Sequence, residues 1–142
     1  MSVSKTLYQR LFDRLSDLVP NLSAAQSGQT FRAPPQIVGD MEIFCTVVAA
    51  DGRKIELQIA HDQHATTDPA PWMTFTVDLT EGTGEVLAVM DDWKYEAAYS
   101  DANAPSPRRV PMNTLALNWF TIMLNQGAHF QHCPALVSTV LL

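Results

Sequence analysis

The sequence predicts an α+β domain, an antiparallel meander of about five strands with an N-terminal and a C-terminal helix packed on one face. Three observations lead there. Apolar residues recur three or four positions apart near both ends of the chain, whereas between them they alternate with polar residues in short runs. Turn-forming residues such as Asp51-Gly52 separate those runs. Strands grouped between two helices, rather than interleaved with them, favour helices gathered on one side of an antiparallel sheet.

The first helix is expected over Lys5 to Val19. Leu7, Leu11, Leu15 and Leu18 form one side with Phe12 beside them, and Arg10, Asp13, Arg14 and Asp17 form the other. Ser4 is the expected N-cap and Pro20 the stop. Residues Asn21 to Pro35 are rich in Ser, Gln, Gly and Pro, and read as a loop with a short extended piece at Thr30–Arg32. The clearest strand signal follows, with Met41, Ile43, Cys45 and Val47 alternating with Glu42, Phe44, Thr46 and Val48. Past the turn Ala50-Asp51-Gly52-Arg53, Ile55, Leu57 and Ile59 alternate with Glu56 and Gln58, which is the signature of a hairpin.

A polar loop, His61–Pro71, leads to a third strand in which Met73, Phe75, Val77 and Leu79 share one parity. Glu81-Gly82-Thr83-Gly84 turns the chain into a fourth at Val86–Val89. Asp91-Asp92 marks a tight turn or a bulge before the fifth, Trp93 to Tyr99. Trp93, Tyr95 and Tyr99 share a parity there and are expected in the core against the second helix. Ser100–Pro111 is a Pro-rich loop. The second helix starts at Pro111, carries Met112, Leu115, Ala116, Trp119, Ile122 and Met123 as its apolar stripe, and ends at Gly127.

Length and composition set the limits on function. The 142 residues, 46% apolar and 17% charged, suit a single domain 1–142 with a core over about 5–128 and an apolar C-terminal tail, 129–142. A chain of this size buries roughly two-thirds of its extended surface and needs no disulfide or metal staple. No apolar run approaches the roughly 20 residues of a membrane span, so no membrane partner is expected. The net charge of −6 argues against nucleic acid, which needs a basic face. Arg108-Arg109, the adjacent basic pair, reads as part of a solvated loop. The N-terminus lacks the pattern of a signal peptide, which places the protein in the cytoplasm with Cys45 and Cys133 as free thiols. The stretch Pro134 to Leu142 is almost wholly apolar and is expected to dock on its own domain or on another copy.

No phosphate-binding glycine motif, serine-nucleophile elbow or H-E-x-x-H pair is present, so no catalytic residues are assigned. The histidines are the feature above background. His61-Asp62-Gln63-His64 and His129-Phe130-Gln131-His132 are two H-x-x-H pairs, the second followed by Cys133. Imidazole and thiolate at short spacing suit zinc, with Asp62 and Asp68 available as oxygen ligands or ring orienters. The competing reading is of four histidines at element ends acting as solvated caps. Asp78, Asp91, Asp92 and Glu96 form a possible acid–base set, against which stands a plain reading as turn and outer-face charges. Trp72, Trp93, Tyr95, Tyr99 and Trp119 lack the interleaved Lys and Arg of a base-stacking platform, and read as core.

Several short motifs carry a resemblance: Leu18-Val19-Pro20 closing the first helix, Ile59-Ala60-His61 closing the hairpin, Asp68-Pro69, Trp72-Met73-Thr74-Phe75, and Trp119 with Gln126-Gly127. Over about residues 7–128 the chain resembles the YqiB-like family and related small proteins of phages and other mobile elements, all of unknown function. The resemblance implies a bacterial or phage setting and no substrate. The mobile-element proteins tend to carry the equivalent of His61 without that of His64, which favours His61; the tail with His129, His132 and Cys133 lies outside the likeness. The functional expectation is a small cytoplasmic binding module, non-enzymatic, working through a protein partner or self-association. The alternatives are a zinc-binding or metal-dependent hydrolytic protein using the paired histidines, and a counter-defence protein presenting an acidic surface.

Overall fold

A computed structural model describes residues 5–34, 43–60, 72–91, 94–100 and 103–133. Two helices and seven strands follow in the order α1 (Leu7–Leu18), β1 (Thr30–Ala33), β2 (Ile43–Ala50), β3 (Lys54–Ala60), β4 (Trp72–Asp78), β5 (Thr83–Asp91), β6 (Lys94–Ala97), α2 (Arg109–Asn125) and β7 (Gln131–Cys133). The architecture is α+β with an antiparallel sheet, ordered β6-β5-β4-β3-β2-β1-β7. The first six strands are a simple meander, and β7 returns from the far end of the chain to pair with β1.

Seven strands replace the expected five. The two additions, β1 and β7, are four and three residues long, too short to show a period on their own. Each becomes a strand because its neighbour supplies the hydrogen bonds: Phe31 pairs with Cys45 on one side and with His132 on the other. The expected tail therefore contributes Gln131–Cys133 to the sheet and the buried Phe130 to the core. Residues 134–142 lie outside the described residues.

Local chemistry sets the element ends. Thr6, rather than Ser4, caps α1: its hydroxyl accepts the Gln9 N–H, and the Gln9 side chain accepts the Thr6 N–H, a reciprocal capping box. Asp51 Oδ1 accepts the N–H groups of Arg53 and Lys54 and so folds the β2–β3 turn, with Gly52 at φ 91°. Asp78 Oδ1 does the same for Thr80 and Glu81 between β4 and β5. At the end of α2, Gly127 N–H bonds to the Leu124 carbonyl and Ala128 N–H to that of Met123, with Gly127 at φ 85°. Those paired bonds satisfy carbonyls the helix leaves open.

One core joins both helices to the sheet. Leu11, Leu15 and Leu18 of α1 meet Met112, Ala116, Phe120 and Met123 of α2, over Val47, Leu57, Phe75, Val77 and Val86 of the strands. The Phe75 and Phe120 rings lie 5.2 Å apart. The helices pack against each other and both reach β5. Gly84 permits the close approach, since a β-carbon there would lie 3.3 Å from Leu15 Cδ1 and 3.4 Å from the Phe12 backbone nitrogen.

Two expected core assignments are corrected. In α2 the buried stripe is Met112, Asn113, Ala116, Phe120 and Met123, whereas Leu115 and Ile122 are 59% and 54% exposed. Tyr95 is exposed as well, and Ala98 takes the interior position. The cause lies in β5: Thr74 pairs with Ala88 but Phe75 with Val86, so Leu87 is an extra residue that reverses the parity beyond it. Tyr99 is half-buried, and the Trp93 side chain lies outside the described residues.

Candidate functional site

Among the described residues, no group of three or more His, Cys, Asp or Glu side chains is arranged to hold a metal ion. His61 and His64, with Asp62 and Asp68, lie outside the described residues. His129 and His132 are both exposed. His129 places Nδ1 3.1 Å from the Gly127 carbonyl at the helix end, and His132 in β7 sets its ring edge-on to Phe31 with centroids 5.6 Å apart. Cys133 ends β7.

The proposed acid set is divided among structural duties. Asp78 holds its turn and pairs with Arg53 at 3.5 Å, and Glu96 pairs with Arg108 at 3.2 Å. Asp91 stands opposite Lys94 in the backbone register of β5 and β6, where the chain reverses; Asp92 lies outside the described residues.

Among the described residues a polar cluster centres on Arg109, for which the sequence predicts a solvated loop. Its Nε donates to Glu85 Oε2 at 2.7 Å, and the Tyr99 hydroxyl donates to the same oxygen at 2.6 Å. The guanidinium lies 4.5 Å from the Tyr8 ring centre and 5.4 Å from that of Tyr99. These cation–π contacts and the ion pair tie the starts of α1 and α2 to β5. Glu85 stabilises the charged form of Arg109 and pushes its pKa further up, whereas partial burial and then Glu85 raise that of Tyr99. Beside this cluster opens a pocket of about 300 Å³. Lys54, Thr76, Asp78, Thr83 and Glu85 line it from three strands, and Tyr8 and Arg109 from the first turns of the helices.

The outward face of α2 is the second distinctive surface. From Val110 to Leu142 the sequence contains no Asp, Glu, Lys or Arg, so all charge lies before it. Pro111, Leu115, Asn118, Ile122 and Asn125 are all exposed and follow one another at spacings of four and three. That spacing aligns them in one narrow stripe, opposite the buried set. No helix among the described residues is long and apolar enough to cross a membrane.

No protein-family model, curated protein or solved structure matches the chain. Fold and surface chemistry are therefore the grounds for a functional reading.

Proposed function

We propose that the protein is a non-enzymatic binding module that works through protein–protein contacts, and that the outward stripe of α2 docks on the same stripe of a second copy. The observation that carries this reading is the uncharged run Pro111, Leu115, Asn118, Ile122 and Asn125 at four-three spacing. Helices that pair in bundles and coiled coils present this spacing at their seam. Leu115 and Ile122 supply apolar anchors, and Asn118 between them supplies a polar pair that fixes register at some cost in stability.

Charge points to the same occupant. The chain carries −6, so most approaches of two copies are repulsive. An approach along α2 brings together the segment that holds no charged residue.

Sedimentation of the full chain across the micromolar range tests the reading. The expected result is a dimer that the double variant Leu115→Glu, Ile122→Glu converts to a monomer with an unchanged far-UV circular dichroism spectrum, because both side chains are exposed on the single chain. Its thermal midpoint is lowered by the loss of the dimer. A wild-type chain that stays monomeric at every concentration overturns the self-docking reading.

A further inference from the structure

We infer that the pocket beside Arg109 is a binding site for a small organic oxyanion, held between the Lys54 ammonium and the Arg109 guanidinium over the hydroxyls of Thr76 and Thr83. The inference is independent of the α2 interface, because it concerns a different surface.

The partners that the pocket's polar groups already have decide what it can bind. Both acids in the pocket are engaged. Asp78 accepts two backbone N–H groups at 3.0 Å through Oδ1 and faces Arg53 through Oδ2. Glu85 accepts from Tyr99 and Arg109 through Oε2. The donors stand differently. Among the described residues, Lys54 Nζ, although its charge acts on the nearby Asp51 carboxylate, and the hydroxyls of Tyr8, Thr76 and Thr83 make no hydrogen bond or close ion pair. A guanidinium carries five N–H donors; Glu85 takes the one on Nε and the Tyr99 oxygen is a second hydrogen-bonding neighbour, which leaves donors to spare on the terminal nitrogens.

Glu85 Oε1 is left as an acceptor, but the ammonium, the guanidinium and the hydroxyls outnumber it as spare donors. A pocket with that balance and a cation on either side fits a ligand that accepts hydrogen bonds and carries negative charge. The registers Lys54–Asp78–Thr83 and Glu56–Thr76–Glu85 put these groups on one face of three neighbouring strands. That rigid backing orients them, as a preorganised site requires. The volume of about 300 Å³ is at the small end of organic-ligand clefts and leaves room for an anion carried on a body such as a sugar. Glu56 lies on the same face beside Thr76, and its charge opposes the anion.

Calorimetric titration of the full chain with ribose 5-phosphate, gluconate and ribose distinguishes a phosphate from a carboxylate and either from a neutral sugar. At least one acidic sugar is expected to bind, with ribose weaker by roughly tenfold or more, the worth of a charge-assisted hydrogen bond. Lys54→Met is expected to weaken the acidic sugar by a similar factor, and Glu56→Gln to tighten it. Lys54 is exposed, so the fold of the variant, checked by its thermal midpoint, is expected to be intact. Failure of both acidic sugars to bind, equal binding of ribose, or an affinity unmoved by Lys54→Met overturns the inference.

Discussion

Asn113 of α2 accepts the backbone N–H of Val86 through Oδ1 at 2.7 Å and donates through Nδ2 to the Arg109 carbonyl at 2.8 Å. Val86 lies on the part of β5 that β6 leaves uncovered, since β6 pairs only with Ala88 to Asp91. A fully buried helix side chain thus closes a bare sheet edge. Asn113→Ala is expected to lower stability by about 1–3 kcal/mol, because the Val86 N–H loses its acceptor without regaining water. Urea unfolding measures it, and an unmoved midpoint contradicts the assigned role.

Two turn carboxylates make stability fall in acid. Asp78 is held below the usual aspartate range first by the Glu81 N–H and further by Arg53, and Asp51 first by the Lys54 N–H and then by that of Arg53. A depressed folded pKa means that the stabilisation is present above the unfolded value of about 3.9 and is lost as pH falls through the folded one. Asp78→Asn is expected to flatten the decline below about pH 4. Unfolding midpoints of both proteins, taken from neutral pH to strong acid, show whether the curves diverge or stay parallel.

Burial pushes the Cys45 thiol up to about 12. The thiolate is the reactive form, so Cys45 is expected to resist alkylation at pH 8 until the chain unfolds. Peptide mass analysis after brief iodoacetamide treatment checks this. Rapid labelling of Cys45 in the native protein contradicts its burial.

The α+β class and the hairpin of β2 and β3 were legible because Asp51-Gly52 and the flanking alternation act over a few neighbouring residues. The exposed face of α2 was not. That helix is apolar nearly all round, so its period is compatible with several inward faces, and packing against α1 and the sheet selects one. Tyr95 was misplaced by the extra residue at Leu87, which only the pairing with β4 reveals. The Arg109 cluster was hidden by distance, since Glu85 lies 24 positions away and nothing near Arg109 announces it. The paired histidines were easy to see as a motif, yet spacing along a chain does not say whether two pairs meet in space.

The chain order of the fold has a consequence for its birth on the ribosome. Two of the elements that shelter the sheet and complete its edge, α2 and β7, are made after the meander. At roughly 5–20 residues per second, the finished meander waits a few seconds before Asn125 is added. Throughout that delay Leu57, Phe75 and Val77 have only α1 to shelter them, and Val86 has no Asn113. The growing polypeptide passes through a stage with a half-covered sheet, and premature termination near Arg108 would release that sticky intermediate in place of a working domain.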